Sequence, residues 1–158
     1  MTRAIRPEGI LIRPRPYDHP DAEQLVRSLY AEQLKLYGFA DPPEADPETF
    51  TPPEGLFLVA YVEEAPVACG GMRAHEPSVT EIKKMYVRPP HRGHGLGRRI
   101  LAELEKAAKE AGATRAILET GARNLEALAL YSGVGYEAIA SYRDRDARIN
   151  RALAKALR

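Results

Sequence analysis

Apolar and polar positions along the 158-residue chain change period several times, and each change marks the boundary of an element. Ile10, Leu11 and Ile12 form a short apolar run closed by Pro14 and Pro16, which predicts a first strand ended by residues that cannot continue a ladder. Asp18 then stands as an N-cap before Pro20 and Asp21. From there Ala22, Leu25, Val26, Leu29 and Leu36 recur near the helical period up to Gly38, which predicts a helix over about 20–37. Prolines at 42, 43, 47, 52 and 53 leave at most a helical turn around residues 44–50, inside a long irregular connection of the kind that carries binding residues.

Two β-rich runs, 56–62 and 66–73, are separated by Glu63, Glu64 and Ala65, the spacing of an antiparallel hairpin. Residues 80–87 read as another strand, stopped by Pro89 and Pro90. A strong amphipathic helix follows over 95–111, with Ile100, Leu101, Leu104, Ala108 and Ala111 on one face and Gly112 as its stop. Ala116, Ile117 and Leu118 make 114–120 a strand buried on both faces, so that 80–87, the helix and 114–120 form a βαβ unit with parallel strands. Residues 124–131 read as a shorter helix and 136–142 as a strand, while 148–157 has the propensity of a helix. The order is β-α-loop-β-β-β-α-β-α-β with an undecided end: a mixed α/β sheet in a single domain spanning 1–158.

Composition supports a globular chain, with 44% hydrophobic and 28% charged residues. A formal net charge of +1 supplies no overall field for nucleic acid or an anionic membrane, so any anion must be held by a local site. The single cysteine, Cys69, has no partner in the chain and lies in an apolar run, which reads as a core residue in a reducing compartment. No signal-peptide pattern opens the chain, and no run approaches the roughly 20 apolar residues of a membrane span, so the expected location is cytoplasmic.

The densest chemical signal is His91-Arg92-Gly93-His94-Gly95-Leu96-Gly97, with glycine at every second position directly before the amphipathic helix. Glycines admit positive φ and let backbone approach a ligand, and the unpaired N–H groups and positive dipole end of the helix favour phosphate. Arg92, Arg98 and Arg99 add charge beside the loop. A tight turn with glycines chosen for packing is the plain alternative. The P-loop pattern fails, because Gly97 is followed by Arg98 and Arg99 rather than Lys and Ser or Thr. The dinucleotide fingerprint lacks its third glycine at Arg98, although Glu119 stands near the place of the ribose-binding acid.

These residues resemble the GNAT superfamily, the GCN5-related N-acetyltransferases. Their acyl-CoA signature is Gln or Arg, two residues, Gly, one residue, then Gly or Ala, and residues 92–97 match it in full. The resemblance extends through residues 81–89 and through Asn124-Leu125-Glu126-Ala127-Leu128-Ala129-Leu130-Tyr131, closing with Gly135-Tyr136. It implies a sheet whose bulged central strand splays from its neighbour, with Met85, Tyr86 and Val87 pairing with the pantetheine arm of acetyl-CoA. It implies further that Arg92, Gly93, His94, Gly95, Leu96, Gly97 and Arg98 hold the pyrophosphate and that Asn124 bonds the pantetheine. Tyr131 would protonate the departing CoA thiolate, and Glu81 would take a proton from the amine through water.

The same residues carry other readings: Tyr131 as a core aromatic, Asn124 as an N-cap, Glu81 as a solvated strand residue. His91 and His94 lack two further ligands nearby, and no metal is expected. The activity implied is transfer of an acetyl group from acetyl-CoA to a primary amine by direct attack in a ternary complex. A non-catalytic acyl-CoA sensor is the alternative. The partner expected is an amine acceptor, small molecule or peptide, with neither nucleic acid nor membrane. Asp41, Glu44, Asp46, Glu48 and Glu54, with no Lys or Arg among residues 41–54, suggest an acidic rim for a cationic acceptor. The charged tail departs from the β-hairpin with which the family often ends, which leaves any homodimer contact there open.

Overall fold

Seven strands build one mixed sheet in the order β1-β2-β3-β4-β5-β7-β6 in a computed structural model that describes residues 9–146 and 148–158. The strands are β1 Ile10–Pro14, β2 Gly55–Val62, β3 Ala65–Glu76, β4 Val79–Val87, β5 Arg115–Gly121, β6 Glu137–Ile139 and β7 Asn150–Ala156. Three helices, α1 Pro20–Tyr37, α2 Leu96–Glu110 and α3 Leu125–Gly133, complete the mixed α/β fold. Residues 1–8, over which the sequence shows no signal-peptide pattern, and Ala147 lie outside the described residues.

Strand alternation divides the core into two layers. Leu58, Ala60, Met72, Ile82 and Leu118 point to one face, where Leu96, Ile100, Leu101, Leu104 and Ala108 of α2 cover them. Phe57, Val59, Tyr61, Cys69 and Tyr86 point to the other face and pack with Ala22, Leu25 and Val26 of α1. Each fully buried Leu or Ile contributes about 1.5–3 kcal/mol, so the apolar stripe of α2 is what fastens it to the sheet. The hairpin β2–β3 turns through Glu63 and Glu64, both at positive φ (51° and 68°) as a tight hairpin requires. β4, α2 and β5 form the expected parallel unit, and it is the sheet's one parallel pair; the antiparallel remainder sets this sheet apart from a doubly wound dinucleotide-binding one.

The irregularity that matters lies in β4. Cys69 pairs with Tyr86 while Gly71 pairs with Lys83, so two steps on β3 face three on β4, and the extra residue is a bulge with Lys84 at φ 60°. Gly70 opposite leaves room for the Met85 side chain, since a Cβ there would lie 2.3 Å from Met85 Sδ and 2.9 Å from Ile100 Cγ2 and would force both to shift. β4 pairs with β5 only from Val79 to Ile82; past Ile82 the strands separate, and β5 continues in partnership with β7. That splay opens a gap in the middle of the sheet.

Several boundaries differ from the sequence reading. His19, not Asp18, caps α1, its Nδ1 accepting from Asp21 N at 3.0 Å. The helical turn in the proline-rich connection is a 3-10 turn at Pro47–Phe50. The strand expected over 136–142 shortens to β6, and the helical propensity of the tail is overridden. β7 inserts between β5 and β6, burying Ala152, Leu153 and Ala154 against neighbours on both sides. Completing ladders along two strands outweighs propensities worth a few tenths of a kcal/mol per residue. The chain therefore does close on a β-hairpin-like pair. No helix among the described residues is long and apolar enough to cross a membrane.

Candidate active site

Pro89 and Pro90 cannot extend β4, and the chain makes a 3-10 turn at Pro89–His91 before entering the glycine loop. Gly93 and Gly95 take φ of 83° and 80°, and Gly95 is the N-cap of α2 with no side chain to satisfy the helix start. The first bond of the helix runs from Arg99 N to Gly95 O at 3.0 Å. The amides of residues 93–98 donate to no protein group among the described residues, so a row of N–H donors meets the positive end of a helix dipole.

This loop walls a cleft of about 740 Å³. Met85, Tyr86 and Val87 line it from β4, and Gly93, Gly95, Leu96, Gly97 and Arg98 from the loop and the first turn of α2. Asn124 and Tyr131 line it from the cap and body of α3. Ten of the eleven residues singled out for cofactor binding, together with Tyr131, thus meet around one cleft; His94, which is exposed, does not line it.

Arg92 reaches the cleft in a different role from that of a phosphate ligand. Its amide donates to Pro89 O, its Nε to Val87 O at 2.8 Å, and its Nη2 to the Glu32 carboxylate at 2.7 Å, with the guanidinium over the Tyr86 ring. The side chain ties the loop to α1, which leaves Arg98, without an ion pair among the described residues, as the free cation of the loop.

Tyr131 is buried, its ring edge-on to Tyr136 at 5.6 Å, and no group among the described residues hydrogen-bonds its hydroxyl. Burial pushes that hydroxyl well above the ordinary tyrosine range. Asn124 is both an N-cap, accepting from Ala127 N at 3.1 Å, and a cleft residue. Cys69 is fully buried; its thiol, pushed up to about 12 by burial, donates to Lys84 O at 3.3 Å and is an inert part of the core.

Glu81 is 1% exposed and its carboxylate is fully engaged. Arg73 Nε donates to it at 2.9 Å, Arg143 Nη2 at 2.8 Å and the Tyr142 hydroxyl at 2.8 Å. Burial alone would raise its pKa, but Lys83, Tyr142, Arg73 and Arg143 together hold it below the usual carboxylate range. Glu119 on β5 accepts from Arg143 Nη1 at 2.9 Å and from Asn150 at 2.6 Å. Arg143, Tyr142 and Glu32 went unnoticed in the sequence because their partners lie 61 to 62 and 60 residues away along the chain.

From the cleft a narrow gap of about 100 Å³ passes between the splayed ends of β4 and β5, sharing Met85, Asn124 and Tyr131 with it. Beyond, and sharing Gln33, Tyr37 and Gly121 with the gap, lies a second cavity of about 490 Å³ between the end of α1 and residues 144–150. Two acids of the expected rim are engaged in the structure: Asp41 pairs with Arg145 at 2.9 Å and Asp46 caps the 3-10 turn. No group of three or more His, Cys, Asp or Glu among the described residues is placed to hold a metal ion.

Residues 24–136 match the acetyltransferase (GNAT) family. The chain is 34% identical over 114 residues to an IAA acetyltransferase of Azospirillum brasilense, covering 72% of this chain and 74% of that one. It superposes with a TM-score of 0.80 on a Klebsiella pneumoniae structure described as an acyl-CoA N-acyltransferase, at 26% identity over 94% of this chain and 98% of that one. An Elizabethkingia anophelis GNAT family acetyltransferase solved with acetyl-CoA bound shares the fold, with a TM-score of 0.69 and 19% identity over 95% and 99% of the two chains. The chain belongs to the acetyltransferase (GNAT) family and is an N-acetyltransferase.

Proposed function

We propose that this chain transfers an acetyl group from acetyl-CoA to a primary amine, with donor and acceptor bound together on opposite sides of the β4/β5 gap. The observation that carries the reading is that an amide-lined cleft opens at Met85 and Tyr131 into a gap that leads on, past Gln33, Tyr37 and Gly121, to a second cavity. The free amides of residues 93–98 and the Arg98 guanidinium suit a pyrophosphate, and the separation of β4 from β5 leaves backbone at Met85, Tyr86 and Val87 for a pantetheine amide. Acetyl-CoA supplies the activated acyl group.

Tyr131 is the proposed acid. Its raised pKa keeps it protonated at any working pH, so its hydroxyl can donate a hydrogen bond to the departing thiolate, and it also makes the hydroxyl a weaker acid than the thiol of pKa near 8.5 that it would form. Glu81 is the proposed acceptor of the amine proton, acting through water. Its depressed pKa keeps it ionised and makes it a weak base, so most of the rate falls to positioning the two substrates and to Tyr131.

The reading is tested by calorimetry with acetyl-CoA and by thiol release over a panel of amines. Tight acetyl-CoA binding with turnover of at least one primary amine is expected. Binding without turnover of any amine would make the chain a sensor, and an unchanged pH profile in Glu81→Gln would remove Glu81 as the base.

A further inference from the structure

Lys83 and Lys84 are half-buried and line the gap between β4 and β5, next to Met85. The Lys84 ammonium donates to Pro42 O at 3.1 Å. The Lys83 ammonium makes no hydrogen bond or ion pair among the described residues. The carboxylates that attract it are otherwise engaged: Glu81 with Arg73 and Arg143, Asp41 with Arg145. Arg143 and Arg73 repel it, and burial, the largest influence, drives its pKa down. The acids that share the gap are compensated as well, Glu32 by Arg92 and Glu119 by Arg143 and Asn150. The uncompensated charge in the gap is therefore positive, at the place where an amine must approach the acyl group. A buried cation without a partner is costly, and an anion supplied by a ligand would relieve it.

Building on the acetyltransferase reading, we infer that the acceptor is a free α-amino acid, its carboxylate held by Lys83 and its side chain in the cavity bordered by Tyr37 and Phe39. The placement follows from the strand. Lys83 and Met85 flank the bulge residue Lys84, so less than the roughly 7 Å of two extended residues separates them, and the flexible lysine stem covers the remainder to a carboxylate one carbon from the reacting nitrogen. The cavity beyond, about 490 Å³ with the Tyr37 and Phe39 rings 6.4 Å apart at its edge, has room for a side chain of any natural amino acid. A polycation, the acceptor suggested by the acidic loop in the sequence, would meet Lys83 and Lys84 at the gap with Asp41 already neutralised.

The experiment measures thiol release at saturating acetyl-CoA for matched acceptors: leucine, leucinamide and 3-methylbutylamine, then phenylalanine, phenylalaninamide and phenethylamine. The amides carry a less basic amine, more of it neutral at pH 7, so a preference for the acid over its amide runs against the supply of neutral amine. With the native chain, kcat/KM is expected to favour the amino acid of at least one set by about tenfold or more, the scale of one buried charge-assisted hydrogen bond. Lys83→Met, which keeps the length of the stem, should bring the three acceptors of that set within about threefold of one another with acetyl-CoA affinity unchanged, and Lys83→Arg should retain the preference. Equal or faster turnover of the amides and decarboxylated amines by the native chain would overturn the carboxylate assignment and leave the acetyltransferase reading standing. A preference that survives Lys83→Met would overturn the role of Lys83. Turnover of no amine despite tight acetyl-CoA binding would overturn both.

Discussion

Arg143 donates through Nη2 to Glu81 at 2.8 Å, and through Nη1 it reaches Glu119 at 2.9 Å, so one guanidinium from the link before β7 joins a carboxylate of each strand at the point where β4 and β5 cease to pair. This clamp holds the segment at residues 142–145 against the open side of the sheet.

Removing it should cost stability. Arg143→Met is expected to lower the free energy of unfolding by about 2–4 kcal/mol, because Glu81 remains buried with only Arg73 and Tyr142 to compensate it. Denaturant titration with an unchanged m-value checks this. The pH dependence has a definite sign. Glu81 has a folded pKa below its unfolded one, so its stabilisation is present above the unfolded value of about 4.3 and is lost as pH falls through the folded value. The native chain should lose stability on acidification below about pH 4.5, and Arg143→Met should lose less over that interval.

Tyr131→Phe should lower kcat by at least about tenfold with little change in acetyl-CoA affinity. No group among the described residues bonds the hydroxyl, so the variant should unfold within about 0.5 kcal/mol of the native chain. A steady-state comparison at saturating acetyl-CoA decides it, and wild-type kcat would remove Tyr131 as the acid.

The glycine loop separates two effects. At Gly95 a side chain would enter open space in front of the amides and sit at φ 80°, so Gly95→Val should add roughly 1–2 kcal/mol of strain and weaken CoA binding at least about tenfold. At Gly97 the same change would press on Leu130 Cδ2, 3.2 Å from the added Cβ, and act by displacing a cleft wall. Calorimetric CoA titrations of both variants, alongside their melting temperatures, distinguish blocking from distortion.

The two arginines of the loop should behave differently. Arg98→Gln should reduce CoA affinity by about threefold to tenfold, with a shallower salt dependence, because its charge is free to meet phosphate. Arg92→Gln should instead lower stability, since it breaks the bonds to Val87 O and Glu32, and should affect CoA binding only through the position of the loop. Titration at two ionic strengths reads the difference.

By itself the sequence was enough to determine the elements whose signals are local. The proline stop after β4, alternate glycines and the apolar stripe of α2 specify a strand, a phosphate-shaped loop and a helix within some thirty residues, because φ limits and helical periodicity act over short distances. Residues 92–97 and 124–131 were legible for the same reason, as was Cys69 as a core thiol. Only the tertiary structure could decide the rest. Residues 148–157 hold both helical propensity and a strand-compatible Ala152, Leu153 and Ala154, and what chose the strand was the otherwise unpaired edge of β5, whose residues lie 29 to 41 positions upstream of their partners. The role of Arg92 was likewise set by Glu32 on α1, and the roles of Glu81 and Lys83 by arginines from β3 and from the segment before β7. A charge declares itself in sequence, but its partner does not; whether it is a base, a strut or a free ligand for substrate depends on which opposite charges the fold brings within a few ångströms and how much water it leaves between them.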